Sequence, residues 1–296
     1  MLTSAHAALG ATTNISSVAD TTLSENYPSN NLGGMLYANS GTTQNFTKNR
    51  ALFKFDVAGA IPAGSRITSA SLTLQVTRAP RDGYNFSDFS LHRLLVNWGE
   101  GNKISPANSS SPGSGSAATT NEATWYYRYA FSSNAWTLPG GAVTNDYSPT
   151  SSSSQTIYGT VDSPYTWNSS SNMIADVQFW LDHPQSNFGW LLLCASETVD
   201  FTARRFSSRE DTNNAPQLAI QYLIAPRIDR AQRSGNQFNL FFTAEAGQTY
   251  QVQFRDSLSS GTWHLLGTVD PPLDSLRVLV VDPISSPQRC YRLMTY

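Results

Sequence analysis

Short runs in which apolar and polar residues alternate, each closed by turn-forming residues, recur along most of this chain. Ala51-Leu52-Phe53-Lys54-Phe55-Asp56-Val57, Ser71-Leu72-Thr73-Leu74-Gln75-Val76 and Phe89-Ser90-Leu91-His92-Arg93-Leu94 have a period of two, which sends successive side chains to opposite faces of a pleated ribbon. A ribbon with one apolar face must pair with neighbours and pack against a second layer. Ala60-Ile61-Pro62-Ala63-Gly64-Ser65 separates the first two runs with the Pro and Gly of a turn. Residues 189–195, 202–208 and 217–223 continue the series. The pattern predicts an all-β sandwich or barrel.

One segment departs from it. Met173, Ile174, Val177, Trp180 and Leu181 recur at helical spacing between Ser171 and the stop at His183-Pro184, which predicts a single amphipathic helix. The Ser-rich stretches 108–116 and 148–154 are expected as exposed loops. A boundary falls near Ile224-Ala225-Pro226, and five strand-like runs follow it (237–243, 248–255, 262–267, 275–282 and 288–294). They are enough for a small immunoglobulin-like sandwich. The expected organisation is an N-terminal extension over 1–14, a large sandwich over 15–224 and a small one over 225–296.

Only 14% of the residues are charged and the net charge is −2, against about 25% charged residues in an average globular chain. Without a run of Lys or Arg there is no electrostatic footprint for a nucleic acid or an anionic membrane, and no apolar stretch is long enough to span a bilayer. Ser4-Ala5-His6-Ala7-Ala8 has the small residues that end a secretory signal, so a secreted, extracellular or cell-surface location is expected. Cys194 and Cys290 are the only cysteines. They exclude a disulfide framework and leave one bridge open. Cys194 lies in an apolar run and is expected to be a small buried hydrophobe.

Lys48-Asn49-Arg50-Ala51-Leu52-Phe53-Lys54-Phe55-Asp56, then Ile61-Pro62-Ala63-Gly64 and Ile67-Thr68-Ser69-Ala70-Ser71-Leu72, resemble the signature of the DNRLRE (disaggregatase-related) family. Further landmarks occur in order: Asp20-Thr21 and Asn30-Asn31-Leu32-Gly33 before that block; Trp98, Glu100 and Ala123-Thr124-Trp125 after it; then Val177-Gln178-Phe179-Trp180-Leu181, Asn187-Phe188-Gly189, Phe206-Ser207-Ser208-Arg209-Glu210 and Ala215-Pro216-Gln217-Leu218. The resemblance covers residues 15–222. It implies a jelly-roll-like sandwich of secreted or cell-surface microbial proteins, sometimes classed as carbohydrate-binding and often attached to polysaccharide-degrading enzymes, and it does not imply catalysis. The C-terminal part resembles small fibronectin-like domains of secreted bacterial proteins.

A pyranose stacks its C–H face on an aromatic ring, so aromatic residues are the natural sugar contacts. Trp98, Trp125, Trp180 and Trp190 lie in strand or helix patterns and are expected in the core. Alternation through Trp125-Tyr126-Tyr127-Arg128-Tyr129 puts Tyr126 and Arg128 on a separate face. With Trp136 and Tyr84 they form the expected carbohydrate platform for an extracellular polysaccharide, where Arg128 can hold a uronate carboxylate. Asp20, Glu25, Asn30, Glu210 and Asp211 are candidate oxygen ligands for a structural Ca2+, and no cofactor is otherwise required. His6, His92, His183 and His264 have no zinc spacing. Glu100, Glu122, Glu197 and Glu210 could furnish the carboxyl pair of a glycosidase, but no catalytic motif accompanies them. The competing reading is a structural or adhesive subunit that self-assembles or docks on a surface protein. In it, the strand-prone segment 11–18 either adds to a neighbour's sheet edge or folds into its own sheet.

Overall fold

The computed structural model describes residues 10–80, 86–108, 110–160, 162–224, 226–257, 259–283 and 288–295. The protein is all-β, and it divides into a large unit of residues 12–63 and 67–221 and a small unit carried mainly by residues 222–296.

The large unit contains β1 (Ala11–Ser24), β2 (Asn30–Asn31), β3 (Tyr37–Thr42), β4 (Lys48–Phe55) and the short helix α1 (Val57–Ala60). Then come β5 (Arg66–Leu74), β6 (Val76–Arg78), β7 (Ser87–Leu94), β8 (Ser116–Ala117), β9 (Tyr147–Ile157) and β10 (Tyr165–Trp167). Helix α2 (Ser171–Asp182) precedes β11 (Trp190–Cys194), β12 (Arg204–Ser207) and β13 (Gln217–Leu223). The main sheet runs β10-β5-β13-β1-β4-β11-β7-β9, and β12 pairs with both β3 and β6 beside it.

Strand β1 lies between β13 and β4, and its register with β4 runs from Ser17 opposite Phe55 to Ser24 opposite Asn49. Segment 11–18 is therefore part of its own sheet and is not a free strand for a neighbour. In β4, Ala51, Leu52 and Phe53 are all fully buried, because a strand with partners on both edges and layers on both faces exposes neither side.

The Ser-rich stretch 148–154 is not the expected exposed loop. It forms most of β9, paired with β7 from Ser87 opposite Ile157 onward. Serine suits this position because its hydroxyls satisfy polar neighbours inside the sheet. Buried Ser152 accepts a 3.0 Å hydrogen bond from Trp190 Nε1 and donates to Asp176.

Helix α2 matches the sequence pattern. Ser170 caps it, accepting from the Met173 amide at 3.0 Å, and Met173, Val177, Trp180 and Leu181 face the core. Trp180 packs edge-on against Trp190 at 4.5 Å. Asp176 on the same helix accepts from Trp190 Nε1 at 3.0 Å and pairs with Arg93 at 2.9 Å.

The small unit holds β14 (Ile228–Ser234), β15 (Gln237–Ala244), β16 (Tyr250–Arg255), β17 (His264–Val269), β18 (Leu276–Pro283) and β19 (Cys290–Thr295). Two three-stranded sheets, β14-β15-β18 and β17-β16-β19, face each other across Leu240, Phe242, Ala244, Tyr250 and Val252. Strand β14 adds a sixth strand to the five expected. Both cysteines are free thiols, and Cys194 is buried, which pushes its thiol pKa up.

Candidate functional site

The expected aromatic platform does not form as a unit. Trp136 is 4% exposed, donates its indole N–H to the Thr124 carbonyl at 2.9 Å, and packs with Trp98, Trp125, Tyr147 and Leu94. It belongs to the core. Tyr126 and Tyr127 are both exposed instead of alternating, because the chain turns there: the Thr124 hydroxyl accepts from both of their amides, at 3.2 and 3.0 Å. The Arg128 side chain folds back, giving Nε to the Ala135 carbonyl at 3.2 Å and Nη1 to Asn97 at 3.1 Å. Its fork is thereby occupied by backbone. Tyr84 lies outside the described residues.

The sequence landmarks instead converge on a polar network. Asn31 donates Nδ2 to the carbonyls of Glu100 (2.7 Å) and Ala123 (3.0 Å), and its Oδ1 accepts from the amides of Gly33 and Lys103. A side chain at Gly33 would place Cβ 2.2 Å from the Glu100 carbonyl, so only glycine fits that approach. Arg50 makes a two-pronged pair with Glu197 and also donates to the carbonyls of Gly140 and Gly141.

Asp20, Glu100 and Glu210 bring their carboxylate oxygens within 4.8 Å of one another. Of the expected Ca2+ ligands, only Asp20 and Glu210 are in this group. Glu25 accepts from the Lys48 amide, Asn30 donates to the Ser114 carbonyl, and Asp211 accepts from Ser207 and Asn214. One cation, Arg209, serves the three carboxylates. Arg209 grips Glu100 through Nε (2.6 Å) and Nη2 (2.9 Å) and reaches Glu210 at 3.2 Å. Asp20 Oδ2 accepts from the Arg209 amide (2.8 Å) and from Ser17 (2.9 Å). A Ca2+ ion needs about six to eight oxygens with free lone pairs, and protein donors already take Asp20 Oδ2, both Glu100 oxygens and Glu210 Oε1, while Glu210 Oε2 is shielded from solvent without a partner. The cluster fits an arginine-bridged clasp between β1, the loop after β7 and the loop after β12. Burial, opposed by the Arg209 amide, pushes the Asp20 carboxyl up to about 7.

A groove of about 510 Å³ opens in the large unit. Asn26, Asn39, Gln44, Asn45 and Asn49 contribute amides and Tyr27 a phenol ring, while Arg78 and Arg205 are its accessible cations. None of its eighteen lining residues is Asp or Glu. Arg78 and Arg205 are direct cross-strand partners on β6 and β12, an arrangement that like charges disfavour. The Arg205 guanidinium lies 3.5 Å from the centre of the Tyr37 ring, and Tyr37 is fixed by donating to the Pro112 carbonyl at 2.8 Å. Arg205 Nε is shielded from solvent without a hydrogen-bond partner, and burial lowers the guanidinium pKa, with Arg78 adding to the effect. Among the described residues neither arginine has a carboxylate within 4.0 Å.

No family model and no curated protein matches this chain. The groove was missed in the sequence because its residues come from five separated segments. The one local signal is Arg204-Arg205 inside a strand that continues as Phe206-Ser207. Two consecutive charges in a buried ribbon have to be accounted for.

Proposed function

We propose that this protein is a non-catalytic carbohydrate-binding module, secreted or displayed at the cell surface, whose groove takes a segment of acidic polysaccharide. The observation that carries this reading is the cross-strand Arg78–Arg205 pair in an amide-rich groove free of acidic side chains. Amide side chains both donate and accept, which matches sugar hydroxyls, and Tyr27 offers a stacking face. A planar guanidinium fork matches a carboxylate or sulfate ester. Membership of the DNRLRE family is part of the proposal, and the convergence of its landmark residues on one polar network supports it.

The non-catalytic part rests on how the glutamates are used. Glu197 is gripped by Arg50, Glu122 pairs with Lys103, and Glu100 and Glu210 share Arg209. Carboxylates held in this way lack the open geometry of an acid/base pair across a sugar. The strand-donating form of the structural-subunit reading loses its donor, because β1 is spent within its own sheet.

Titration calorimetry with polygalacturonate and its carboxyl-reduced, neutral counterpart tests the proposal. The acidic polymer is expected to bind and the neutral one to bind at least about tenfold more weakly, since a charge-assisted pair contributes about 1.5–3 kcal/mol. Arg205→Gln is expected to remove that preference. Equal binding of both polymers, or an Arg205→Gln variant with wild-type preference, overturns the groove assignment.

A further inference from the structure

We infer that Phe46 and Phe201 are the sugar-stacking residues of the groove, the first at its rim and the second in its lining. This rests on the groove being a polysaccharide site, and it adds how the sugar rings are held there.

Among the described residues, five other than glycine have a positive φ, and three of them are phenylalanines: Phe46, Phe131 and Phe201, each at 57°. In this left-handed region Cβ crowds the backbone, and bulky side chains rarely occupy it. Such strain persists only where the surrounding structure enforces it, and it gathers at ligand-binding sites. Two of the three phenylalanines are at the groove. Phe201 is a lining residue, and Phe46 directly follows the lining residues Thr43, Gln44 and Asn45. Phe131 lies in the loop after β8, outside that lining.

Both turns are held firmly. At the tip of the β3–β4 hairpin the Thr43 amide donates to the Thr47 carbonyl at 2.9 Å and the Phe46 amide to the Thr43 carbonyl at 3.1 Å. The hydroxyls of Thr43 and Thr47 are 2.7 Å apart. In the turn before β12, Arg204 is 1% exposed and directs Nη1 to the carbonyls of Phe201 (3.5 Å), Thr202 (3.0 Å) and Ala203 (3.3 Å). The two turns are also tied to each other. The Thr42 amide donates to the Thr202 hydroxyl at 2.9 Å, and the Ala203 amide to the Thr42 carbonyl at 3.0 Å.

Phe46 is 66% exposed, so its ring gives the fold little packing in return for the strain. What it offers is a flat apolar face, fixed beside the amides of Gln44, Asn45 and Asn49. The C–H face of a pyranose stacks on such a ring while its hydroxyls take the amides. Arg78 and Arg205 then read the acidic group, and the phenylalanines hold the ring whatever its charge.

The test joins binding to stability. The full chain and its variants are titrated calorimetrically with polygalacturonate and with its carboxyl-reduced counterpart, and each is melted in urea. Phe46→Gly is expected to weaken binding of both polymers by about tenfold, leaving the preference for the acidic one unchanged. It should also raise the urea midpoint, because glycine adopts the left-handed conformation without strain. Phe201→Asn, which tolerates the same φ, should weaken binding of both polymers in the same way. Wild-type affinity in the two variants, or a lower midpoint for Phe46→Gly, overturns the stacking role while the groove stands. An Arg205→Gln variant with wild-type preference, beside weakened binding in Phe46→Gly, overturns the arginines' role and keeps the phenylalanines. Binding of neither polymer to the wild type overturns both.

Discussion

Asp20 is the residue whose surroundings differ most from what its type requires. It is 1% exposed, lies beside two other carboxylates, and is reached by the Arg209 amide while the Arg209 guanidinium serves Glu100. Burial therefore dominates and its pKa is pushed up to about 7. An unfolded Asp titrates near about 4, so between those values the folded chain holds one proton that the unfolded chain has released. The contribution of this group to stability is full below about pH 4 and is lost as pH rises through about 7. Asp20→Asn, which keeps an acceptor for Ser17 and Arg209, is expected to flatten the pH dependence over that window and to raise the urea midpoint at pH 8. Urea melts at pH 4.5, 6 and 8 read this directly. A wild-type slope retained in the variant would contradict the assignment. From the sequence, Asp20 and Glu210 were legible as partners in one acidic site. Glu100 and the bridging Arg209 were not, since nothing local announces a contact across 80 to 190 positions.

Among the elements, α2 and β9 illustrate opposite fates of sequence patterns. The helix was legible because its apolar period and its stop at His183-Pro184 are local properties, and the structure adds the Ser170 cap. Ser170→Ala is expected to cost about 1 kcal/mol, seen as a lower denaturation midpoint with an unchanged native spectrum. Strand β9 was hidden, since a run of serines has neither period nor propensity. It becomes a strand because β7 offers an edge and because Trp190, Asp176 and Ser170 supply partners for its polar groups. Strand β14 was hidden for a related reason. Its residues are exposed almost throughout, so it carries no apolar alternation and is defined only by pairing with β15. In the loop after Thr124, alternation was assumed where a hydroxyl-capped turn operates, and Trp136, expected beside Tyr126 and Arg128, packs in the core instead.

At the level of the whole molecule, each unit has an apolar interior of its own, with one buried cluster around Leu52, Trp98, Trp125 and Leu191 in the large unit and one around Leu240, Phe242 and Tyr250 in the small unit. A large-to-small change in the second should act on its own unit. Leu240→Ala is expected to cost about 2–5 kcal/mol and to speed amide hydrogen exchange across β14 to β19 while leaving β1 to β13 protected, as mass spectrometry of exchanged peptides would show. Uniform loss of protection over the entire chain would contradict separate interiors for the two units.

What the sequence determined by itself is the all-β character, the faces of most strands, the one long helix and a division near residue 224. These follow from the period of apolar residues, which each segment carries within a few neighbours. What only the tertiary structure decided is where chemistry gathers. The clasp joins Asp20, Glu100, Arg209 and Glu210, and the groove draws on residues around 24–27, 39–49, 78–80, 111–113 and 201–205. Strand pairing fixes those meetings, and pairing is a choice among distant edges made by the burial of the whole sheet.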